Sequence, residues 1–143
     1  ITRADFSYLY IDQECSVLDP GLTVFEQTER FNASHLAEHE LKSILNRCLF
    51  PYETWDKPCF CLSGGEKIRL LFCCLMIGNN APDVFILDEP TNNLDIQSVE
   101  IITAAIKSYR GTVLLISHDH YFVKEIKINR SIKLFDTGSV IKI

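Results

Sequence analysis

Two short apolar runs in the second half of the chain predict buried strands. Residues 83–88 read Asp-Val-Phe-Ile-Leu-Asp, and residues 112–117 read Thr-Val-Leu-Leu-Ile-Ser. Continuous rather than alternating apolar runs are typical of a parallel sheet covered on both faces. Between the two runs, apolar residues recur at near-helical intervals from Ile96 to Tyr109. Strand, helix and strand in this order predict an α/β fold.

The first half of the chain predicts one strand followed by helices. Residues 7–12 are largely aromatic and β-branched, which favours a short strand. After a Pro-Gly turn, residues 23–29 predict a short helix. Ser34 is placed to cap a second helix that runs to about Arg47.

A third predicted helix begins at a clear N-terminal signal. Ser63 and Glu66 have the spacing of a capping box, in which side chains satisfy the first free backbone N–H groups. This helix is apolar on most sides, so we expect it to be buried on most sides. Further along, Asp119 is placed to cap a short helix, and residues 132–135 and 140–143 predict a terminal hairpin.

Composition narrows the class of protein without identifying it. The 143 residues fit one compact domain or a piece of one, and their net charge is −5. Because the sequence has no basic block or stripe, direct DNA binding is not expected. No apolar run reaches the roughly 18 residues that span a membrane, and no signal peptide is recognisable, so we expect a cytoplasmic location. The first residue is Ile1 rather than Met, which favours a start inside a longer protein.

Six cysteines raise the question of a metal site or of disulfides. Cys59 and Cys61, and likewise Cys73 and Cys74, lack the spacing of zinc ligands. The second pair lies inside an apolar run, where cysteine behaves as a small hydrophobic residue. The sequence therefore predicts reduced thiols in a cytoplasmic protein.

Chemically capable side chains follow both buried strands. Ligands of an open parallel sheet bind outside the carboxyl ends of its strands, where Asp88, Glu89 and His118 fall. Asp88 is suited to Mg2+, which takes one or two carboxylates together with phosphate oxygens. Glu89 is suited to orient or deprotonate an attacking water, and His118 to contact a γ-phosphate. Each residue also has an ordinary alternative, as the start of a loop for the acids and as a loop residue or helix cap for the histidine.

Ser63, Gly64 and Gly65 form a candidate anion-binding helix start. Free N–H groups, the positive end of the helix dipole and two residues without side chains are what such a site requires. An ordinary capped helix has the same pattern, so this segment alone does not identify a function.

Taken together, these segments resemble the ordered motifs of ABC ATPases over essentially the whole chain. Residues 62–66 are similar to the ABC signature, residues 84–89 to the Walker B strand with its catalytic glutamate, and residues 93–95 to the D-loop. Residues 117–119 resemble the H-loop, and Gln13 matches the Q-loop. The order and the spacing are those of the family.

Two segments resemble the ABC-F subfamily in particular, which comprises soluble twin-cassette ATPases that act on ribosomes in translation or antibiotic resistance. They are residues 62–70 and residues 89–95. Asn93 stands where the subfamily usually has His, and His120 stands where Arg is more usual. Residues 13–24 are more similar to the second cassette of the pair than to the first.

The resemblance implies a partial P-loop NTPase core of the RecA-like type. Residues 1–143 then form a single partial ABC domain, with about 14–80 as the helical signature subdomain and 1–13 and 81–143 as the remaining core lobe. The pattern G-x-x-x-x-G-K-[ST] does not occur, so the Walker A loop, its lysine and the adenine-stacking aromatic are expected upstream. The strand that feeds that loop would lie beside residues 112–117, which predicts an unpaired apolar edge there.

The resemblance also implies ATP hydrolysis between two cassettes that close head to tail. Gln13 and Asp88 would serve Mg2+ and the attacking water. Glu89 would act as the base, and His118 would hold the γ-phosphate. Asp95 would couple the two sites. The residues that would reach the ATP held by the partner cassette are Ser63, Gly64, Gly65 and Glu66.

Three functions remain open at this point. The first is a ribosome-acting ABC-F ATPase, and the second is the ATP-binding subunit of an ABC membrane transporter. The third is a non-catalytic module that supplies only a signature motif, against which the intact Glu89 and His118 argue. The chain by itself is expected to be inactive and to bind little ATP, because its sequence lacks the Walker A amides and lysine.

Overall fold

The elements of the computed structural model, which describes residues 6–12, 14–78, 82–134 and 140–142, follow the predicted order. The strands are β1 (Tyr8–Ile11), β2 (Val84–Asp88), β3 (Thr112–Ile116), β4 (Ile132–Leu134) and β5 (Val140–Lys142). The α-helices are α1 (Val24–Phe31), α2 (Glu38–Arg47), α3 (Gly64–Ile77), α4 (Ile96–Ser108) and α5 (His120–Glu125). Short 3₁₀ turns at Tyr52–Thr54 and Cys59–Cys61 connect α2 to α3.

The first three strands form a parallel sheet in the order β1-β2-β3. Ile86 at its centre pairs with Tyr10 on one side and with Leu114 on the other. Asp88 pairs with Ile116, so the carboxyl ends of β2 and β3 lie side by side. The α/β fold predicted from the sequence is thus confirmed. As also predicted, β3 lies at the edge of the sheet among the strands that the structure describes.

One face of this sheet packs on the helices and the other is open, so the expectation of coverage on both faces is wrong for the described residues. The side chains that join the hydrophobic core are Leu9, Ile11, Phe85, Leu87, Val113 and Leu115. The side chains of the opposite face that remain exposed are Tyr8 (64%), Tyr10 (44%), Leu114 (51%) and Ile116 (51%). We name this second set the open sheet face. Its apolar composition predicts burial, but composition does not specify which element provides it.

Helix α3 lies at the centre of the core, as its apolar sequence predicts. It packs against α1, α2 and α4. Its fully buried side chains include Leu70, Leu71, Cys73 and Cys74. Complete burial of one leucine side chain contributes about 1.5–3 kcal/mol, so this helix supplies a large share of the apolar stabilisation.

Helix α2 begins later than predicted, because Ser34 does not cap it. The N-cap position is Ala37, whose N–H donates to the carboxylate of Glu40 at 2.7 Å. The hydroxyl of Ser34 instead donates to the carbonyl of Ile77 at 3.3 Å. Asn32 holds the intervening turn through two hydrogen bonds with the backbone of Leu36.

The predicted Asp119 cap of α5 and the predicted hairpin are present. Helix α1 is capped by Thr23 in a reciprocal box with Glu26, a cap that was not predicted from the sequence. The terminal strands β4 and β5 pair antiparallel, with Ile132 opposite Lys142. The predicted hairpin turn at 136–139 lies outside the described residues.

All six cysteines are free thiols, and five of them are buried while Cys61 is exposed. Burial raises the pKa of Cys15 to about 12 and that of Cys59 to about 11. Among the helices that the structure describes, none is long and apolar enough to cross a membrane.

Candidate functional site

The carboxyl ends of β2 and β3 bring three predicted site residues to one edge of the sheet. Asp88 is the last residue of β2, and Glu89 follows it. The N–H of Glu89 donates to the carbonyl of Ile116 at 2.8 Å, which extends the strand pairing by one residue. The backbone of Glu89 then turns with a φ of 48°, in the left-handed region that side chains other than glycine rarely adopt. His118 comes two residues after the end of β3, and its side chain meets that of Glu89.

Glu89 and His118 form a direct hydrogen bond. Nδ1 of His118 lies 2.7 Å from Oε1 of Glu89, and a carboxylate only accepts, so the imidazole donates from Nδ1. This hydrogen bond, followed by the attraction of the carboxylate charge, raises the pKa of His118. The histidine side chain is 82% exposed and the glutamate side chain 21% exposed, so the pair lies at the surface with its carboxylate partly sheltered.

Asp88 is held by a tyrosine that the sequence did not indicate. The phenol of Tyr10 on β1 donates to Oδ2 of Asp88 at 3.1 Å. That hydrogen bond is the main cause that raises the pKa of Tyr10. The signal available in the sequence was the alternation of β1, which places Tyr8 and Tyr10 on one face of the sheet.

The donor set around Asp88 fits a metal that arrives with a nucleotide better than a metal held by protein alone. In the described part of the chain, no group of three or more His, Cys, Asp or Glu side chains is placed to hold a metal ion. Mg2+ is usually bound by one or two carboxylates with the remaining positions filled by phosphate oxygens and water. Asp88, a single carboxylate at the end of a strand, is therefore enough as the protein's contribution to a Mg2+ site.

The loop that leads from β2 to α4 is fixed by its own backbone and by the loop after β3. Asn92 N–H donates to the carbonyl of Glu89 at 3.1 Å, and Asn93 has a φ of 58°, which asparagine tolerates well. The hydroxyl of Thr91 donates to Oδ2 of Asp119 at 3.2 Å. Asp119 also accepts from the N–H of Phe122, the main reason for its lowered pKa. The two loops that carry the site are therefore tied together.

The predicted capping box at the start of α3 is present. The hydroxyl of Ser63 accepts from the N–H of Glu66 at 3.2 Å, and the Glu66 carboxylate accepts from the N–H of Ser63 at 2.8 Å. Lys57 donates to both carboxylate oxygens of Glu66, at 3.2 and 3.3 Å. Partial burial raises the pKa of Glu66, but these hydrogen bonds outweigh it and the net shift is downward.

The two glycines of this segment have different surroundings. A Cβ on Gly64 would meet no atom within 4 Å, so its face is open. A Cβ on Gly65 would lie 3.0 Å from Cδ2 of Leu94, closer than side chains normally approach. Gly65 therefore allows the start of α3 to contact the loop that precedes α4.

Asp95 is the N-cap of α4. Its Oδ1 accepts from the N–H of Ser98 at 2.7 Å, and its Oδ2 accepts from the hydroxyl of Ser98 at 3.0 Å. The hydrogen bond from the Ser98 N–H is the main cause of the lowered pKa of Asp95. Arg69 on α3 also reaches this cap, and sequence reasoning missed it. An arginine inside an otherwise apolar helix was the available signal, because a buried guanidinium requires partners.

The predicted site residues fall into two groups. Asp88, Glu89 and His118 lie together at the sheet edge. The second group, which lies around the start of α3 and the start of α4, comprises Ser63, Gly64, Gly65, Glu66 and Asp95. Gln13 lies outside the described residues.

The structure thus combines a parallel sheet that has two acids and a histidine at one edge with a separate capped, glycine-rich helix start. The family described as "ABC transporter" matches residues 2–92. The chain belongs to the ABC transporter family, and the proteins that it is similar to include F-type members.

ABC transporter F family member 5 of Arabidopsis thaliana is 43% identical over 128 residues, which is 89% of this chain and 18% of that protein. The probable ATP-binding protein YbiT of Escherichia coli O157:H7 is 43% identical over 124 residues, which is 87% of this chain and 23% of that protein. The chain thus spans about a fifth of the length of these relatives.

A solved structure has the same fold at low sequence identity. It is a dimeric post-hydrolysis state of an ATP-binding cassette bound to ADP and Pi, with a TM-score of 0.62 and 21% identity. The match covers 84% of this chain and 56% of that one.

Proposed function

We propose that this chain is the hydrolytic part of a cassette in an ABC-F type ATPase, which converts ATP and water to ADP and phosphate. The observation that carries the proposal is the 2.7 Å hydrogen bond between Glu89 and His118 at the carboxyl ends of adjacent parallel strands. A partly sheltered carboxylate with an imidazole partner is the pair needed to position and activate a water molecule. Cassettes of this family are ATPases in general, which supports the assignment.

Glu89 acts on the water and His118 acts on Glu89 and on the phosphate. Oε1 of Glu89 accepts from the imidazole, so its other oxygen remains for the proton of an attacking water. Protonated His118 places a positive charge beside the site, where it balances negative charge that develops on the transferred phosphoryl group. The exposed position of His118 leaves its Nε2 accessible to that group.

Asp88 holds the metal in this proposal, with Gln13 as a second ligand. Mg2+ neutralises charge on the phosphates when it is bound with ATP. The Tyr10 hydroxyl orients the Asp88 carboxylate by donating to Oδ2, which leaves Oδ1 for the metal.

The second group of residues faces a partner cassette, in the same chain or in a dimer. The capped N-terminus of α3 presents N–H groups and the open face of Gly64, both suited to a nucleotide phosphate. The partner's ATP would thus be contacted by Ser63, Gly64, Gly65 and Glu66, with Asp95 coupling the two sites. Residues of about 14–80 form the helical signature subdomain in this proposal, and 1–13 with 81–143 form the core lobe.

Steady-state ATP turnover of the intact protein tests the assignment of the base. Glu89→Gln keeps the shape and removes the proton acceptor, so we expect a loss of about 100-fold or more in kcat, the range of a general base. Glu29→Gln is the matched control, because Glu29 is exposed on α1, and it should leave kcat unchanged. Unchanged turnover in Glu89→Gln would show that Glu89 is not the base.

Binding of the intact protein to ribosomes distinguishes an ABC-F protein from a transporter subunit. We propose a cytoplasmic protein that acts on the ribosome, since the segments 62–70 and 89–95 are similar to the ABC-F forms. Co-sedimentation with ribosomes that increases in ATP supports this role. Co-purification with a membrane subunit, and no ribosome binding, supports the alternative.

A further inference from the structure

Arg69 is a buried arginine in α3, the helix that packs against α1, α2 and α4 in the core. It lies about one helical turn after Gly65 and is 8% exposed. One guanidinium N–H donates to the hydroxyl of Ser98 on α4 at 3.0 Å, and Ser98 is completely buried. The Ser98 hydroxyl in turn donates to Oδ2 of Asp95 at 3.0 Å. We name this chain of hydrogen bonds the Arg69 clamp.

Packing alone does not account for an arginine at this position. Removing a guanidinium from water is costly, and a well-packed apolar side chain often replaces such a group without loss of stability. The guanidinium stacks on the ring of Phe50, with Cζ 5.1 Å from the ring centroid. Its Nε has no hydrogen-bond partner within the described part of the chain, so the desolvated group is only partly compensated. What the arginine provides is a directed link between α3 and the cap of α4.

A second contact links the same two segments. Leu94 packs over Gly65 so closely that a Cβ there would lie 3.0 Å from Cδ2 of Leu94. Arg69 also lies 3.9 Å from Asp95 Oδ2 as an ion pair. The start of α3 and the loop before α4 thus touch at two points about one helical turn apart on α3. A movement of α3 therefore moves Asp95.

We propose that Arg69 is a positioning residue, which fixes the Asp95 loop to the signature helix so that both reach the partner cassette in one geometry. This role rests on the proposed function. Arg69 touches no substrate in it, and acts through Ser98 and Asp95. The clamp is needed when the two cassettes align for hydrolysis, because small displacements of positioned groups lower the rate of chemistry more than they lower binding.

The experiment measures kcat and KM for ATP in the intact protein carrying Ser98→Ala. This change removes the bridging hydroxyl and leaves both charged groups in place. We expect a fall in kcat of about tenfold or more, since misplacement near 1 Å costs up to about 100-fold, with KM changed by less than about twofold. Ser108→Ala is the matched control: it removes a hydroxyl that bonds the Ala105 carbonyl near the far end of α4, and it should change neither constant.

Two substitutions of Arg69 keep the test decisive if Ser98→Ala lowers the unfolding temperature below that of the assay. Arg69→Lys keeps an N–H donor for Ser98 but loses the planar guanidinium. Arg69→Met keeps the approximate volume but loses both the donor and the planar group. We expect kcat to rank wild type, Lys, then Met. A merely structural role predicts that kcat follows thermal stability instead, and that outcome overturns the clamp.

Failure of the clamp and failure of the proposed function give different results. If Glu89→Gln is inactive while Ser98→Ala matches Ser108→Ala in kcat, the clamp alone is overturned. If Glu89→Gln retains wild-type turnover, the proposed function is overturned. The role of the clamp is then overturned as well, because it rests on that function.

Discussion

The backbone of Glu89 occupies the left-handed region at a φ of 48°. For a residue with a Cβ this conformation costs about 1–3 kcal/mol and persists only where the surroundings impose it. Here the N–H of Glu89 is held by the carbonyl of Ile116, and its carboxylate is held by His118. The cost is thus offset by contacts that aim the side chain at the neighbouring strand end.

The pKa of His118 measures its hydrogen bond with Glu89. Because the carboxylate raises the pKa of His118 above 6.5, the folded chain keeps its imidazole proton up to a higher pH than the unfolded chain does. The stabilisation is complete below pH 6.5 and is lost as pH rises through the raised pKa. We expect an NMR titration of the imidazole to give a pKa above 6.5, and Glu89→Gln to lower it.

The control for this titration is Glu29→Gln, which leaves the His118 environment intact and should leave its pKa unchanged. A His118 pKa that is the same in Glu89→Gln and in the wild type contradicts the hydrogen bond.

The sequence alone predicted part of this site. Asp88, Glu89 and His118 follow from strand ends in the sequence, and their proximity follows from parallel topology. The left-handed turn at Glu89 does not, because glutamate carries no signal for that conformation. The Tyr10 contact with Asp88 depends on the register between β1 and β2, which no local pattern specifies.

At the level of elements, the two reciprocal capping boxes show what local sequence determines. Both the Thr23–Glu26 and Ser63–Glu66 boxes satisfy backbone N–H groups within one turn, so their spacing alone specifies them. Ser34 fails as a cap because a partner distant in sequence, the carbonyl of Ile77, takes its hydroxyl. The Arg69 clamp was missed for the same reason, since it joins two helices.

These boxes offer a matched comparison of stability and function. Thr23→Ala and Ser63→Ala each remove one cap, so each should lower the free energy of unfolding by about 1 kcal/mol. Only Ser63→Ala should also lower ATP turnover of the intact protein, because its helix start faces the partner nucleotide in our proposal. Thermal unfolding and steady-state turnover measure the two effects. Equal turnover in the two variants contradicts the proposed role of Ser63.

At the scale of the whole molecule, the open sheet face is the feature that favours association in solution. It exposes aromatic side chains on β1 and aliphatic side chains on the edge strand β3. Contiguous apolar surface of this kind promotes association, and an edge strand provides unpaired backbone groups for it. The sequence predicted the strands and their apolar character, but which face is covered is decided by the arrangement of several elements.

We therefore expect the chain to self-associate through this face. Leu114→Lys should shift sedimentation velocity profiles toward monomer with little change in unfolding, because half of that side chain already contacts solvent. Phe60→Lys is the control: its side chain is 65% exposed but lies outside the sheet, and it should leave association unchanged. Equal association of both variants contradicts a role for the sheet face.

The distribution of the cysteines has a practical consequence for labelling the segment that precedes α3. Cys61 alone among the six is exposed, and it lies two residues before Ser63. The other thiols are shielded by the core that surrounds α3 and the segments packed on it. A maleimide dye added to the native chain will accordingly attach at Cys61 without any engineered substitution. The molecule thus has a native attachment point for a fluorophore next to the helix start that faces the partner cassette in our proposal.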